Sequence, residues 1–191
     1  KAISNMLSCP SFRYSLYSGF TVDGREEVIS RVTGEKEKGN THIKGEMVNT
    51  PVDIYYIDRT IYNYDSFSQR WLVIESGTSN SEELLIAELN PLSNFRFKTV
   101  NQVEKLGFEK VNGVECLKVN CRPSIESQLL ESLWKDFAYR LWIDYRKDRL
   151  IKAELSAVNQ RNDKSHLKIR VEFSDFNETM NIKAPDRSSK K

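Results

Sequence analysis

The chain has 191 residues, 39% hydrophobic and 29% charged, a mixture that builds one domain with a sizeable core rather than a disordered segment. Lys and Arg total 29 against 27 Asp and Glu, and the signs alternate along the chain. A protein that grips nucleic acid through its phosphates carries a clear basic excess, so no nucleic-acid partner is expected. No apolar run is long enough to span a bilayer.

The chain opens KAISNMLSCP without an initiator Met, which reads as a mature or trimmed fragment. AISNML is a short helix candidate with Ile3, Met6 and Leu7 together. From there the dominant signal is period-two alternation. SFRYSLYSGFTV places Phe12, Tyr14, Leu16, Phe20 and Val22 on one face. Turn chemistry follows at Asp23-Gly24, Lys38-Gly39-Asn40 and Asn49-Thr50-Pro51. The next stretch, YYIDRTIYNYDSFSQRW, is dense in aromatics. Alternation puts Tyr56 on the face of Val52 and Ile54, with Tyr55 beside Asp53 on the other, and Tyr62 and Trp71 are assigned to the inward side with Tyr56.

SNSEELLIAELNPL breaks the strand pattern. Ser79 and Glu82 have capping-box spacing, Leu85, Leu89 and Leu92 recur at helical spacing, and Pro91 marks the end. After an Asn112-Gly113 turn and the strand-like VECLKVNC, the segment PSIESQLLESLWKDF predicts a second helix. Ile125, Leu129, Leu133, Trp134 and Phe137 form its stripe, and Pro123 stands near its start. Three alternating runs close the chain: AYRLWIDY with Tyr139, Leu141, Ile143 and Tyr145; LIKAELSAV with Ile151, Ala153, Leu155 and Ala157; and SHLKIRVEFSDF with Leu167, Ile169, Val171 and Phe173. A turn at Arg146-Lys147-Asp148 separates the first two. The tail DRSSKK is polar and basic and is expected to be disordered.

The expected class is therefore α+β: a large curled antiparallel sheet with one greasy and one wet side, and two or three helices covering the concave face. Residues 1–185 form one domain and 186–191 the tail. Such a sheet can enclose an apolar cavity or be packed shut, and both remain open.

Catalytic and metal chemistry find little support. No G-x-S-x-G occurs, no glycine-rich phosphate loop is present, and His42 and His166 are isolated on wet strand faces without ligand-like spacing to a cysteine. Asp144 shares a face with Trp142 but brackets a hairpin turn with Asp148. Neither a cofactor nor a metal is expected, and the chain reads as non-enzymatic. Cys116 and Cys121 lie five residues apart on one strand, roughly 16 Å, against the ~7 Å limit for bridged Cα atoms, and they point to opposite faces. Cys9 paired with either, or three free thiols, both remain open.

The order of these pieces resembles the LolA/LppX/LprG-type lipoprotein carriers. VDIYYIDRTIYNYDSFSQRW is similar to their aromatic-bearing strand ending in Trp, and FRFKTVNQVEKLGFEKVNGVECLKVNC to their G-x-E-x-V-x-G-V-x-C/A hairpin. YRLWIDYRKDRLIKAEL resembles the W-I-D hairpin, and VEFSDFNETMNIKAPD the closing strand with its I-x-x-P exit. The likeness covers about Phe12 to Pro185 and concerns hairpins, not a catalytic signature. It implies a half-open β-barrel of about eleven strands in a LolA-like domain, exported to the periplasm or cell envelope and peripheral to the membrane at most. Lipid anchoring would use an upstream segment, since MLSC at Met6 to Cys9 lacks the apolar lead of a lipobox. The implied partner is a lipid, acyl chain or other apolar ligand held against Tyr56, Tyr62, Trp71, Leu85, Leu89, Leu129, Leu133 and Trp134. The alternative is an RseB-like regulatory module with a packed core that contacts an envelope protein.

Overall fold

The computed structural model describes residues 1–75 and 90–186. Among the described residues eleven strands form one antiparallel sheet: β1 (Ser11–Val22), β2 (Arg25–Glu37), β3 (Asn40–Met47), β4 (Thr50–Ile57), β5 (Thr60–Asp65), β6 (Arg70–Glu75), β7 (Phe97–Val111), β8 (Val114–Ile125), β9 (Trp134–Asp144), β10 (Arg149–Asn159) and β11 (His166–Ser174). Their order is β6-β5-β4-β3-β2-β1-β11-β10-β9-β8-β7, so the sheet stays open and β6 and β7 are its two edges. Two meanders, β1–β6 and β7–β11, meet at one ladder in which Tyr14 pairs with Phe173.

Tight turns set this meander. Asp23-Gly24, Lys38-Gly39, Val48-Asn49, Asp58-Arg59 and Asn112-Gly113 each place both residues at positive φ, the turn whose twist matches antiparallel strands. Alternation then sorts one face inward. Phe12, Tyr14 and Leu16 of β1, Ile43 of β3, Ile54 of β4, Tyr139 and Leu141 of β9, Leu155 of β10 and Val171 and Phe173 of β11 all join one buried core. A glycine makes room in it: a Cβ on Gly34 would lie 2.2 Å from Cζ of Tyr14, so the Tyr14 ring lies across the bare backbone of β2.

Short elements cover this face. Helix α1 (Ala2–Leu7) buries Met6 and packs Ile3 on the core, as AISNML predicts. The 3₁₀ turn Ser93–Phe95 buries Phe95, and the Tyr139 hydroxyl donates to the Asn94 carbonyl at 2.7 Å, satisfying the one polar atom of that buried ring. Helix α2 spans only Gln128–Leu133. The longer helix read from PSIESQLLESLWKDF is corrected accordingly. Ile125 continues the inward alternation of β8, while Trp134 begins β9 and pairs with Asn159 of β10. Sheet pairing on both sides overrides the helical spacing. Ser127 caps α2 by accepting from the Leu130 N–H, and Gln160 serves its last carbonyls, donating to Glu131 and Trp134.

Ile151 also departs from the expected face. A register shift between Leu150 and Lys152 turns Leu150 into the core and Ile151 outward, where it packs with Cys116 and Trp142. Cys116 and Cys121 lie on opposite faces, and all three cysteines are free thiols.

Candidate functional site

The concave face divides into a filled middle and exposed ends. Phe12, Phe95, Tyr139 and Phe173 are almost fully buried around β1, β9 and β11. Phe12 meets Phe173 edge-on at 5.4 Å, and Tyr139 takes Phe97 and Phe95 the same way at 4.8 and 5.7 Å. Toward β6 the packing thins. Ile61 is buried, but its cross-strand neighbour Ile74 is 39% exposed, and Leu72 on the same face is 48% exposed.

At the other edge β7 is exposed along almost its whole length. Val100 opposite Pro123 and Phe108 opposite Leu117 belong to the concave face and are 51% and 66% exposed. Val103 and Leu106 lie within two of the three register shifts that interrupt the strand, and both are exposed. Those bulges, together with Lys98, Lys105 and Lys110, twist and charge the edge against pairing with another chain.

The predicted lining residues separate into groups. Tyr56 is half-buried and packs on the core beside Val52 and Ile54, and Trp134 packs on the same core from the start of β9. Leu133 ends α2 and is half exposed. Leu85, Leu89 and the side chain of Leu129 lie outside the described residues. Tyr62 and Trp71 do not share the face of Tyr56. The pairs Tyr55–Tyr62, Tyr62–Val73 and Tyr64–Trp71 place them with Tyr55 on the outer face. The cause is the turn at Asp58-Arg59. A two-residue hairpin pairs Tyr56 with Ile61, so the parity of inward residues switches from even to odd across it.

That outer aromatic group is ordered around a histidine. The His42 ring stacks on Tyr55 at 3.8 Å, its Nε2 lies 2.9 Å from Asp53 Oδ1, and Trp71 meets Tyr55 and Tyr64 edge-on at 5.6 and 5.2 Å. His42, expected to be a solvated residue, instead lies opposite Tyr55, and the alternation of NTHIKGEM against VDIYY is the signal that pairs them. Beside it runs a polar groove of about 530 Å³ walled by Arg13, Thr33, Glu35, His42, Lys44 and Glu172. The tip of the β7–β8 hairpin overhangs this groove, where Asn112 donates to Glu172 at 3.2 Å.

Among the described residues hydrolytic and metal chemistry find no constellation. Asp144 is buried, but its Oδ1 accepts the backbone N–H groups of Arg146 and Lys147 and so caps the β9–β10 turn. Burial pushes the Cys116 thiol up to about 11, far from a reactive thiolate. Among the described residues no group of three His, Cys, Asp or Glu could hold a metal ion. No helix of the described residues is long and apolar enough to cross a membrane.

No protein-family model and no curated protein sequence matches the chain. Solved structures do. The lipoprotein LppX of Mycobacterium tuberculosis superposes with a TM-score of 0.63 at 16% identity, covering 95% of this chain and 94% of that one. LprF of Mycobacterium bovis superposes with a TM-score of 0.60 at 11% identity, covering 98% and 94%. The likeness spans nearly the whole length of both partners at identities where only the backbone architecture is shared, and the chain has the same open antiparallel-sheet fold as LppX and LprF.

Proposed function

We propose that the chain is a non-enzymatic, extracytoplasmic binding protein that holds a lipid, an acyl chain or another apolar ligand against its concave face, in lipid or lipoprotein traffic at the cell envelope. One observation carries the reading. A sheet face with a buried apolar middle leaves Leu72, Ile74, Val100 and Phe108 exposed at its two ends. Apolar surface left on an otherwise buried face gains about 25 cal/mol per Å² when a ligand covers it, before the costs of association. The likeness in fold to LppX, itself a lipoprotein, supports a place at the envelope.

The proposed lining is Tyr56, Leu133 and Trp134 together with those edge residues, and Leu85, Leu89 and Leu129 join it on their helical spacing. Tyr62 and Trp71, on the outer face, are left out of it. Native mass spectrometry of protein purified without detergent, followed by organic extraction, tests the proposal. A stoichiometric lipid is the expected result. Failure to find or load any apolar ligand, in repeated preparations, overturns it.

The filled middle of the face, with Phe12, Phe95, Tyr139 and Phe173 buried, favours a second reading: a regulatory module with a packed core that contacts a protein of the envelope. The same mass spectrum separates the two, because a packed module carries no lipid and cannot be loaded.

A further inference from the structure

The outer face of the sheet carries a second groove, of about 460 Å³, that runs into the one beside His42 through the shared residues Ser15, Thr33, Lys44 and Glu172. Its cations are arranged in a particular way. Tyr17 of β1 pairs laterally with Arg31 of β2 on one side and Arg170 of β11 on the other. Both guanidinium groups lean toward the ring between them, with Cζ of Arg31 5.8 Å and Cζ of Arg170 5.5 Å from its centroid. Their Cα atoms, two strand spacings apart, are about 10 Å from each other.

Most of the lysines and arginines nearby are neutralised. Arg13 holds Glu35 and Asp175, Lys152 holds Glu154, and Lys118 holds Glu109. Arg31 and Arg170 form no ion pair among the described residues, and the Nε of Arg170 is buried without a hydrogen-bond partner. The acids that could serve them are engaged or displaced. Glu154, opposite Arg170 on β10, lies 3.2 Å from Lys152, and Glu26 accepts the Tyr17 hydroxyl. Glu46 stands opposite Arg31 in register without forming an ion pair with it, and Glu172 receives Asn112. One rung further along, Ser15 and Thr33 pair across β1 and β2, and Lys44 pairs with Thr33.

We propose that this groove is a binding site for a phosphoryl group, with Arg31 and Arg170 as its two arms and Ser15 and Thr33 on its floor, beside Glu172 and Lys44, which itself lies 3.8 Å from Asp53. Two guanidinium forks approaching from separate strands suit a tetrahedral anion, which offers acceptors in several directions and is bound more strongly by charged donors than by neutral ones. The site lies on the face opposite the apolar one, so it stands independently of the proposed lipid-holding role.

Calorimetric titration with inorganic phosphate and glycerol phosphate, alongside co-sedimentation with phosphatidylglycerol or phosphatidylcholine vesicles, tests it. Saturable binding of the phosphate compounds is expected, weakened about ten-fold by Arg170→Gln and lost in the Arg31→Gln/Arg170→Gln pair. Lys168→Gln, an exposed change on β11 outside this groove, should leave binding intact. Loss of phosphatidylglycerol vesicle binding in the same variants identifies a lipid headgroup as a source. Binding of free esters alone identifies a small soluble phosphate. Should Arg170→Gln fail to fold, the exposed Arg31→Gln carries the test by itself. Absence of saturable phosphate binding, or phosphate binding indifferent to both arginines, overturns the proposal. Apolar loading of the double variant should match that of the parent protein, so either proposal can fail alone.

Discussion

The central strands and the edge strands obey the same alternation and come to opposite ends. In β1, β9, β10 and β11 an inward residue meets covering side chains from both its neighbours and the helices, and is nearly all buried. In β6 and β7 an inward residue has a sheet neighbour on one side only, and Leu72, Ile74, Val100 and Phe108 remain in part exposed. Apolar residues occur in both regions, mixed with Arg70 and Lys105 at the edges, while the work differs: packing energy in the middle, available surface at the ends.

The sharpest way to break this comparison is to empty the middle. Phe12→Ala or Phe173→Ala should lower stability by about 3–5 kcal/mol, read from urea unfolding. A loss below 1 kcal/mol would mean that the centre is as loosely filled as the edges. Overfilling comes next. Gly34→Ala forces the Tyr14 ring to move and should cost about 1–3 kcal/mol, part of it recovered when Tyr14→Leu is added.

Alkali probes the buried groups. Burial raises the Cys116 thiol to about 11, so the folded state keeps a proton that the unfolded chain sheds nearer 9. Its contribution is complete below about pH 9 and disappears as pH rises through 11. Burial raises the phenols of Tyr14 and Tyr139 in the same direction. Thermal unfolding should therefore weaken over this window, and at pH 8 a thiol reagent should label the half-exposed Cys9 well before Cys116 and Cys121. Equal labelling of all three would contradict the burial.

The smallest stability effect belongs to the edges. Val100→Ser and Phe108→Ser should change stability by no more than about 0.5 kcal/mol, yet reduce binding of an acyl-chain fluorescent probe. A large loss of stability with unchanged probe binding would move both residues into the structural core.

Much of the fold was legible. Strands whose turns carry glycine, such as Asp23-Gly24 and Asn112-Gly113, could be placed with their inward faces, because the turn announced itself. Asp58-Arg59 adopts the same positive φ values without a glycine, so composition carries no sign that parity switches there, and Tyr62 and Trp71 lie on the outer side of β5 and β6, not the expected inward one. Ile151 failed for a related reason, since a bulge costs one residue of register and leaves no compositional trace. The segment around Leu133 and Trp134 misled in another way: its apolar spacing fits a helix, and only the long-range partner strand β10 decides otherwise. The paired arginines around Tyr17 were invisible for want of lateral neighbours, which only the register supplies.

The single ladder between β1 and β11 has a consequence for how the chain assembles. All other ladders join strands that follow one another in sequence, so each meander can form from local contacts. Tyr14 and Phe173, by contrast, must find each other across nearly the whole chain, and contacts of such long sequence separation are slow to form because loop closure comes first. The seam is then the natural late step of folding, and the two meanders are the units that would open or exchange as blocks in hydrogen exchange.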